Sequence, residues 1–321
     1  MGGALAFAGL LLALALAALA LARDPFRLVR LVFAAQRVAS GLRRRHCVAA
    51  GHRWVYAARA AADPQAPTLV LLHGFTGSKE NWYPLARSLG RRYHLLVPDL
   101  PGWGESERKP EAAYGFVEQA EHVAAFIAAL SPAHPVVLLG HSMGGGIAAL
   151  VAARHPQRVA RVGLLNAAGV RFRDNAFGLA VLAGENPFAV EDAASLRRYL
   201  ATVFHDRRAQ PWIPWPFSAA LIARRRADAA FEQAVLARIG RGEDSLRPGA
   251  EAARIRQPVL LLWGRQDAVI DPSAMALYAE VLPQARQVLL DGCGHMSLME
   301  RPREVARAIV TWIEDTPAAA G

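Results

Sequence analysis

The sequence predicts an α/β protein: an open, mostly parallel sheet with helices on both faces, an inserted helical cap and an N-terminal membrane-anchor helix. Three observations carry this expectation. From Trp54 onward, short apolar runs alternate with segments of helical periodicity. Between 169 and 253 the alternation stops, and roughly 80 residues pass without a strand pattern, too many for a structureless loop. At the start, residues 2–22 carry no charge and are mostly Ala and Leu.

Taken in order, residues 1–22 are the expected anchor. A helix of that apolar stretch is about 31 Å long at about 1.5 Å per residue, the thickness of a bilayer's hydrocarbon core. The competing reading is a cleaved signal peptide. Ala20-Leu21-Ala22 resembles a cleavage site, but only Met-Gly-Gly precedes the apolar run, where a signal would carry basic residues. Residues 23–50 read as a basic amphipathic linker, because Arg23, Arg27, Arg30 and Arg37 recur at helical spacing beside Phe26, Leu28, Leu31 and Val32. Seven arginines lie between Arg23 and Arg45 and none before the span, which orients a single-pass anchor with its main domain in the cytoplasm. Cleavage would instead export that domain.

The main domain divides into a first core part (51–168), the cap (169–253) and a second core part (254–315). Candidate strands are 68–73 (TLVLLH), 94–99 (HLLVPD), 136–140 (VVLLG), 159–166 (VARVGLLN), 259–263 (VLLLW) and 287–290 (QVLL). Several are continuously apolar, as parallel strands covered on both faces must be. Helical patterns fall between them at 82–89, 117–130, 145–155, 273–281 and 303–313. In the cap, 210–217 (QPWIPWPF) holds three prolines and cannot be regular helix.

The net charge of +10 comes almost wholly from arginine, Lys79 and Lys109 being the lysines. No zinc-ligand spacing, RNA-binding run or basic heptad region accompanies it, so nucleic acid is not an expected partner. The two cysteines, Cys47 and Cys293, cannot make a disulfide framework and read as reduced thiols.

The chemistry centres on Gly140-His141-Ser142-Met143-Gly144, a G-x-S-x-G directly after an apolar strand and directly before a helix. That context is what a nucleophile elbow requires: a sharp turn projects the serine hydroxyl at the carboxyl end of the sheet. A serine needs a base, and the base an orienting carboxylate. Asp267 follows the strand 259–263 and His295 follows 287–290, giving the order Ser142, Asp267, His295. Asp271 is a rival acid, better placed to cap the helix from Ser273. An oxyanion needs two backbone N–H donors; Met143 after the nucleophile and Phe75 in His73-Gly74-Phe75 are the candidates. His73 is expected to brace its loop, and His141 to point away from a base position.

With these residues assembled, the chain from about 54 to 313 resembles the α/β-hydrolase superfamily. The matching segments are His73-Gly74-Phe75, the run 99–106 (DLPGWGES), the elbow, Gly264-Arg265-Gln266-Asp267 and Gly292-Cys293-Gly294-His295. The resemblance implies the α/β-hydrolase fold and a triad with no metal or organic cofactor. Within the superfamily the chain looks most like membrane-anchored monoacylglycerol lipases and their bacterial lipase relatives. An N-terminal span, a basic linker, an Arg301-Pro302 pair and a helical cap are the shared features. The implied function is hydrolysis of carboxylic esters, monoacylglycerol or similar lipid esters, with a lipid or small ester and the membrane as partners. Dehalogenases and epoxide hydrolases of the superfamily use a carboxylate where this chain has Ser142. Its C–C bond hydrolases typically carry Asn before the nucleophile and Trp after the histidine; here these are His141 and Met296. That activity, a cofactor-free haloperoxidase-like one, and a catalytically silent membrane-tethered protein stand as alternatives. If the anchor reading holds, the first 45 residues should be dispensable for hydrolysis of a soluble ester.

Overall fold

The computed structural model describes residues 2–3, 5–9, 11, 19, 23–24 and 26–315. Among them, no helix is long and apolar enough to cross a membrane. The anchor expected at 1–22 lies for the most part outside the described residues.

An eight-stranded sheet organises the chain: β1 (Arg43–Ala49), β2 (His52–Arg59), β3 (Thr68–Leu72), β4 (His94–Pro98), β5 (Val136–His141), β6 (Val159–Leu165), β7 (Val259–Gly264) and β8 (Arg286–Leu290). Their spatial order is β1-β2-β4-β3-β5-β6-β7-β8. The β1–β2 and β2–β4 pairs are antiparallel and every other pair is parallel. Around the strands run α1 (Phe26–Ala39), α2 (Tyr83–Ser88), α3 (Phe116–Leu130) and α4 (Met143–Arg154). The inserted segment contributes α5 (Ala176–Leu182), α6 (Ala193–Val203), α7 (Phe217–Arg241) and α8 (Arg247–Ala252). The chain then adds α9 (Ser273–Val281), α10 (Ser297–Glu300) and α11 (Pro302–Asp315). The six strands expected from apolar runs are present, and the cap is helical.

Continuous apolar runs are needed because each central strand is buried twice. Successive side chains of a strand point to opposite faces. Val70 and Leu72 of β3, with Val136 and Leu138 of β5, join a core that includes Phe126 of α3 and Ile147 of α4. Leu69, Leu71, Val137 and Leu139 face the other way, into a second core with Leu85 of α2 and Trp312 of α11.

The N-terminal boundary needs correction. Residues 23–50, expected as a linker, form α1 and the edge strand β1, so the sheet begins at Arg43 and not after 50. Arg43 to His46 are all exposed, so β1 has no apolar alternation to betray it. Its pairing comes from β2, with Cys47 opposite Trp54 and Ala49 opposite His52. A basic edge of this kind also discourages a second chain from adding on. Helix α1 is not free either. It packs against α2 and against α7 of the cap, and Ser40 donates to the Tyr83 carbonyl at 3.1 Å. Removal of 45 residues would therefore take away α1 and the first three residues of the edge strand, and a cut that spares the fold lies before Phe26.

The order of strands reverses at β3: β4 lies on one side of it and β5 on the other. In open α/β sheets such a switch point, at the carboxyl ends of the strands, opens a crevice for a ligand. Leu72 is in register with Gly140, His141 with Leu165, and Leu165 with Leu262. The segments that leave β3, β5, β6 and β7 therefore emerge along one rim.

Candidate active site

At that rim, Ser142 sits between β5 and α4 with φ 57° and ψ −121°. A non-glycine residue at positive φ is strained, and here the strain is held by its surroundings. The Ser142 N–H donates to the Leu165 carbonyl at 2.9 Å, and its own carbonyl accepts from Ala168 N at 3.0 Å. The turn is tight enough to require glycine on both sides. A Cβ at Gly140 would lie 2.0 Å from the Gly144 carbonyl oxygen, and one at Gly144 would lie 2.4 Å from that of Leu72.

Asp267 and His295 meet directly. His295 Nδ1 donates to Asp267 Oδ2 at 2.9 Å, and both side chains are buried. Asp267 Oδ1 accepts from the backbone N–H groups of Val269 and Ile270 at 2.8 and 2.9 Å. The rival Asp271 accepts from Ser273 N at 2.9 Å at the start of α9, a capping arrangement. His295 and the elbow are brought together through His141, whose ring lies 4.8 Å from that of His295. His141 Nε2 donates to the His295 carbonyl at 2.7 Å. Ser142 and His295 are not hydrogen-bonded to each other, although the His295 carbonyl is held to His141 beside the serine; such bonds often form only with substrate bound.

The loop after β3 lies against the serine: a Cβ on Gly74 would come 2.8 Å from Ser142 Cβ. Among the described residues, neither the Phe75 nor the Met143 backbone N–H has a protein acceptor, although both residues are buried. Buried unpaired N–H groups are rare, and two of them beside a serine make a site for a developing negative oxygen. His73 braces this loop. Its Nδ1 donates to the Gly74 carbonyl at 2.8 Å while Nε2 accepts from Leu100 N at 3.0 Å. Burial pushes His73 down to about 4 and, with His295 adjacent, His141 down to about 3, so both are neutral at neutral pH. Lys79 anchors the far end of the loop, bonded to Asp99 at 2.7 Å and to Glu80 and Glu105 at 2.9 Å. Burial opposes its charge, but Asp99 and Glu80 outweigh that and raise its pKa.

Two contributors were not singled out from the sequence. Asn166, directly after β6, donates from Nδ2 to Asp267 Oδ2 at 2.8 Å, and its Oδ1 accepts from Ser297 Oγ at 2.6 Å. Glu300 accepts from Gly294 N at 3.0 Å, from His205 N at 3.0 Å and from Asp206 N at 2.7 Å. It thus ties the end of the cap helix α6 to the segment that carries His295. The available signal for Asn166 was a polar residue ending a buried strand, the same signature that marks the other rim residues. Above the site the cap supplies aromatic cover, with the Phe188 ring tilted against Phe75 at 5.2 Å and edge-to-face with Phe177 at 4.6 Å.

The family model described as "Alpha/beta hydrolase family" matches residues 69–308. Lipase 1 of Psychrobacter immobilis is 29% identical over 263 residues, covering 81% of this chain and 80% of the relative. Monoacylglycerol lipase ABHD6 of Mus musculus is 25% identical over 301 residues, covering 90% of this chain and 88% of its own. Among solved structures, a bacterial membrane phospholipase A superimposes with a TM-score of 0.85 at 34% identity, covering 98% of this chain and 99% of that one.

Proposed function

The chain belongs to the alpha/beta hydrolase family, and from that premise we propose that this lipase-like hydrolase cleaves a lipid ester through Ser142, His295 and Asp267. The observation that carries the reading is Ser142 at positive φ beside the unpaired N–H groups of Phe75 and Met143. His295 Nε2 takes the Ser142 hydroxyl proton as the oxygen attacks the ester carbonyl. The Phe75 and Met143 amides hold the resulting oxyanion. The Nδ1–H bond to Asp267 keeps His295 in the tautomer that leaves Nε2 free, and stabilises the imidazolium. His295 then protonates the departing alcohol, and the same steps with water release the acid from Ser142.

The apolar aromatic cover of Phe75, Phe177 and Phe188 favours an acyl chain over a polar substrate. Likeness to monoacylglycerol lipases and to a phospholipase A supports a monoacylglycerol or glycerophospholipid ester. The uncharged run 2–22 supports a membrane tether ahead of α1. A fluorophosphonate probe should label the wild type and not Ser142→Ala, and the variant should lose ester hydrolysis while keeping its melting temperature. Absence of wild-type labelling would overturn the mechanism. A panel of monoacylglycerols, phospholipids, p-nitrophenyl esters and a vinylogous diketone tests the substrate class; preferential cleavage of the diketone would favour C–C hydrolysis.

A further inference from the structure

Of the seven tryptophans, five (Trp54, Trp82, Trp103, Trp263 and Trp312) are at most 4% exposed, whereas Trp212 and Trp215 are 87% and 80% exposed. Burying indole is among the larger gains open to a folding chain, so two exposed indoles three positions apart call for a partner. Both lie in the segment 204–216 between α6 and α7. The start of that segment is pinned to the rim of the candidate site: Met296 N donates to the Val203 carbonyl at 3.0 Å, and Glu300 holds His205 and Asp206.

The position of α1 says which way this surface faces. Its last turn is held at the opposite, amino edge of the parallel strands, where Arg59 donates to the Ser40 carbonyl at 2.5 Å and pairs in register with Leu95 of β4. The helix also contacts α2, α7 of the cap and the 3-10 turn Lys79–Trp82, which follows the loop after β3. Helix α1 therefore runs from the cap down the side of the core, with its first residue, Phe26, which the apolar stretch precedes in sequence, toward the cap. The charge is suited to the same surface. Residues 207–226 include five arginines and no acid, and Arg207, Arg208 and Arg226 are exposed. Pro211, Pro214 and Pro216 stiffen the chain around the indoles and so reduce the entropy lost on docking.

We infer that Trp212 and Trp215 dock the cap into the headgroup layer of an anionic bilayer, so that the rim bearing Ser142 faces the lipid that supplies its substrate. Indole suits that layer, with an apolar ring and a polar N–H, and arginines add attraction to anionic headgroups. The inference rests on the lipid-ester reading, and the test separates the two. Full-length protein is reconstituted into phosphatidylglycerol vesicles with or without brominated acyl chains. With five indoles sealed in the core, quenching of tryptophan emission reports on Trp212 and Trp215. Strong quenching by the brominated lipid is expected, and weaker quenching in phosphatidylcholine. The Trp212→Ser, Trp215→Ser double variant should lose the quenching and turn over vesicle-embedded monoacylglycerol about tenfold more slowly. Its hydrolysis of a soluble p-nitrophenyl ester should match wild type. Unquenched wild-type emission in phosphatidylglycerol would overturn the docking, and unchanged vesicle turnover by the double variant would overturn its role in delivery. A wild type that is quenched but cleaves neither ester would leave the docking standing and remove the lipid-ester reading.

Discussion

Asp267→Asn tests the candidate triad at the atom where its geometry is most constrained. Four donors converge on the two Asp267 oxygens: Val269 N and Ile270 N on Oδ1, His295 Nδ1 and Asn166 Nδ2 on Oδ2. An asparagine must turn its NH2 toward one of these pairs. The backbone pair cannot rearrange, so the NH2 takes the Oδ2 position. There Asn166 can flip its amide and Ser297 can reverse its hydroxyl, which keeps the network paired. His295 has one response, to accept at Nδ1 and carry its proton on Nε2. In that tautomer it cannot take the proton of Ser142. The expected loss in kcat is about 10⁴-fold, or about 5 kcal/mol of barrier. Stability should fall by only about 1 kcal/mol, since one neutral hydrogen bond replaces a charged one. Turnover of a soluble p-nitrophenyl ester, read beside urea unfolding, separates the two effects. Retention of more than a tenth of wild-type kcat would refute the reasoning and mean that another acid orients His295. Asp271→Asn should change kcat less than twofold, because Asp271 is engaged with Ser273 N.

Stability should fall on acidification between about pH 6.5 and pH 4. His73 and His141 are buried neutral, with pKa values about 4 and about 3 against 6.5 for free histidine. As pH drops through 6.5 the unfolded chain takes up protons that the folded one refuses, so His73 alone costs about 3 kcal/mol by pH 4. Urea unfolding at pH 7.5 and pH 5 measures this, and a flat profile would show that neither ring stays neutral. Lys79→Met leaves Asp99 and Glu80 without their cation; a loss of about 3–5 kcal/mol is expected in the same assay, and less than 1 kcal/mol would count against the network. Glu300→Gln must face an NH2 toward at least one of three backbone donors, so about 2 kcal/mol of stability should be lost. If Glu300 also positions the cap over His295, KM for a long-chain ester should rise more than that for acetate; equal changes would confine it to a structural role.

Much of the fold was legible because burial writes itself locally. A strand covered on both faces must be apolar throughout, and VVLLG and VLLLW announced β5 and β7 without reference to any other part of the chain. The nucleophile elbow was equally plain, since Gly140 and Gly144 are demanded by atoms within a few residues and the neighbouring strand end. By the same logic the positions of Asp267 and His295 could be expected from the ends of their strands. Only the tertiary structure decided what depends on pairs distant in sequence. Strand β1 exists because β2 lies beside it, and its arginines and His46 alternate between two faces that are both open to water at this end of the edge strand. Asn166 became part of the site by meeting Asp267 and Ser297 more than a hundred residues away, and Glu300 by holding His205 and Asp206 across the cap junction. The aromatics of 210–217 read alike as sequence, yet Trp212 and Trp215 stand in solvent while Ile213 and Phe217 are half-buried. Local periodicity records how often a side chain must avoid water; which neighbour it meets is settled only when the chain closes on itself.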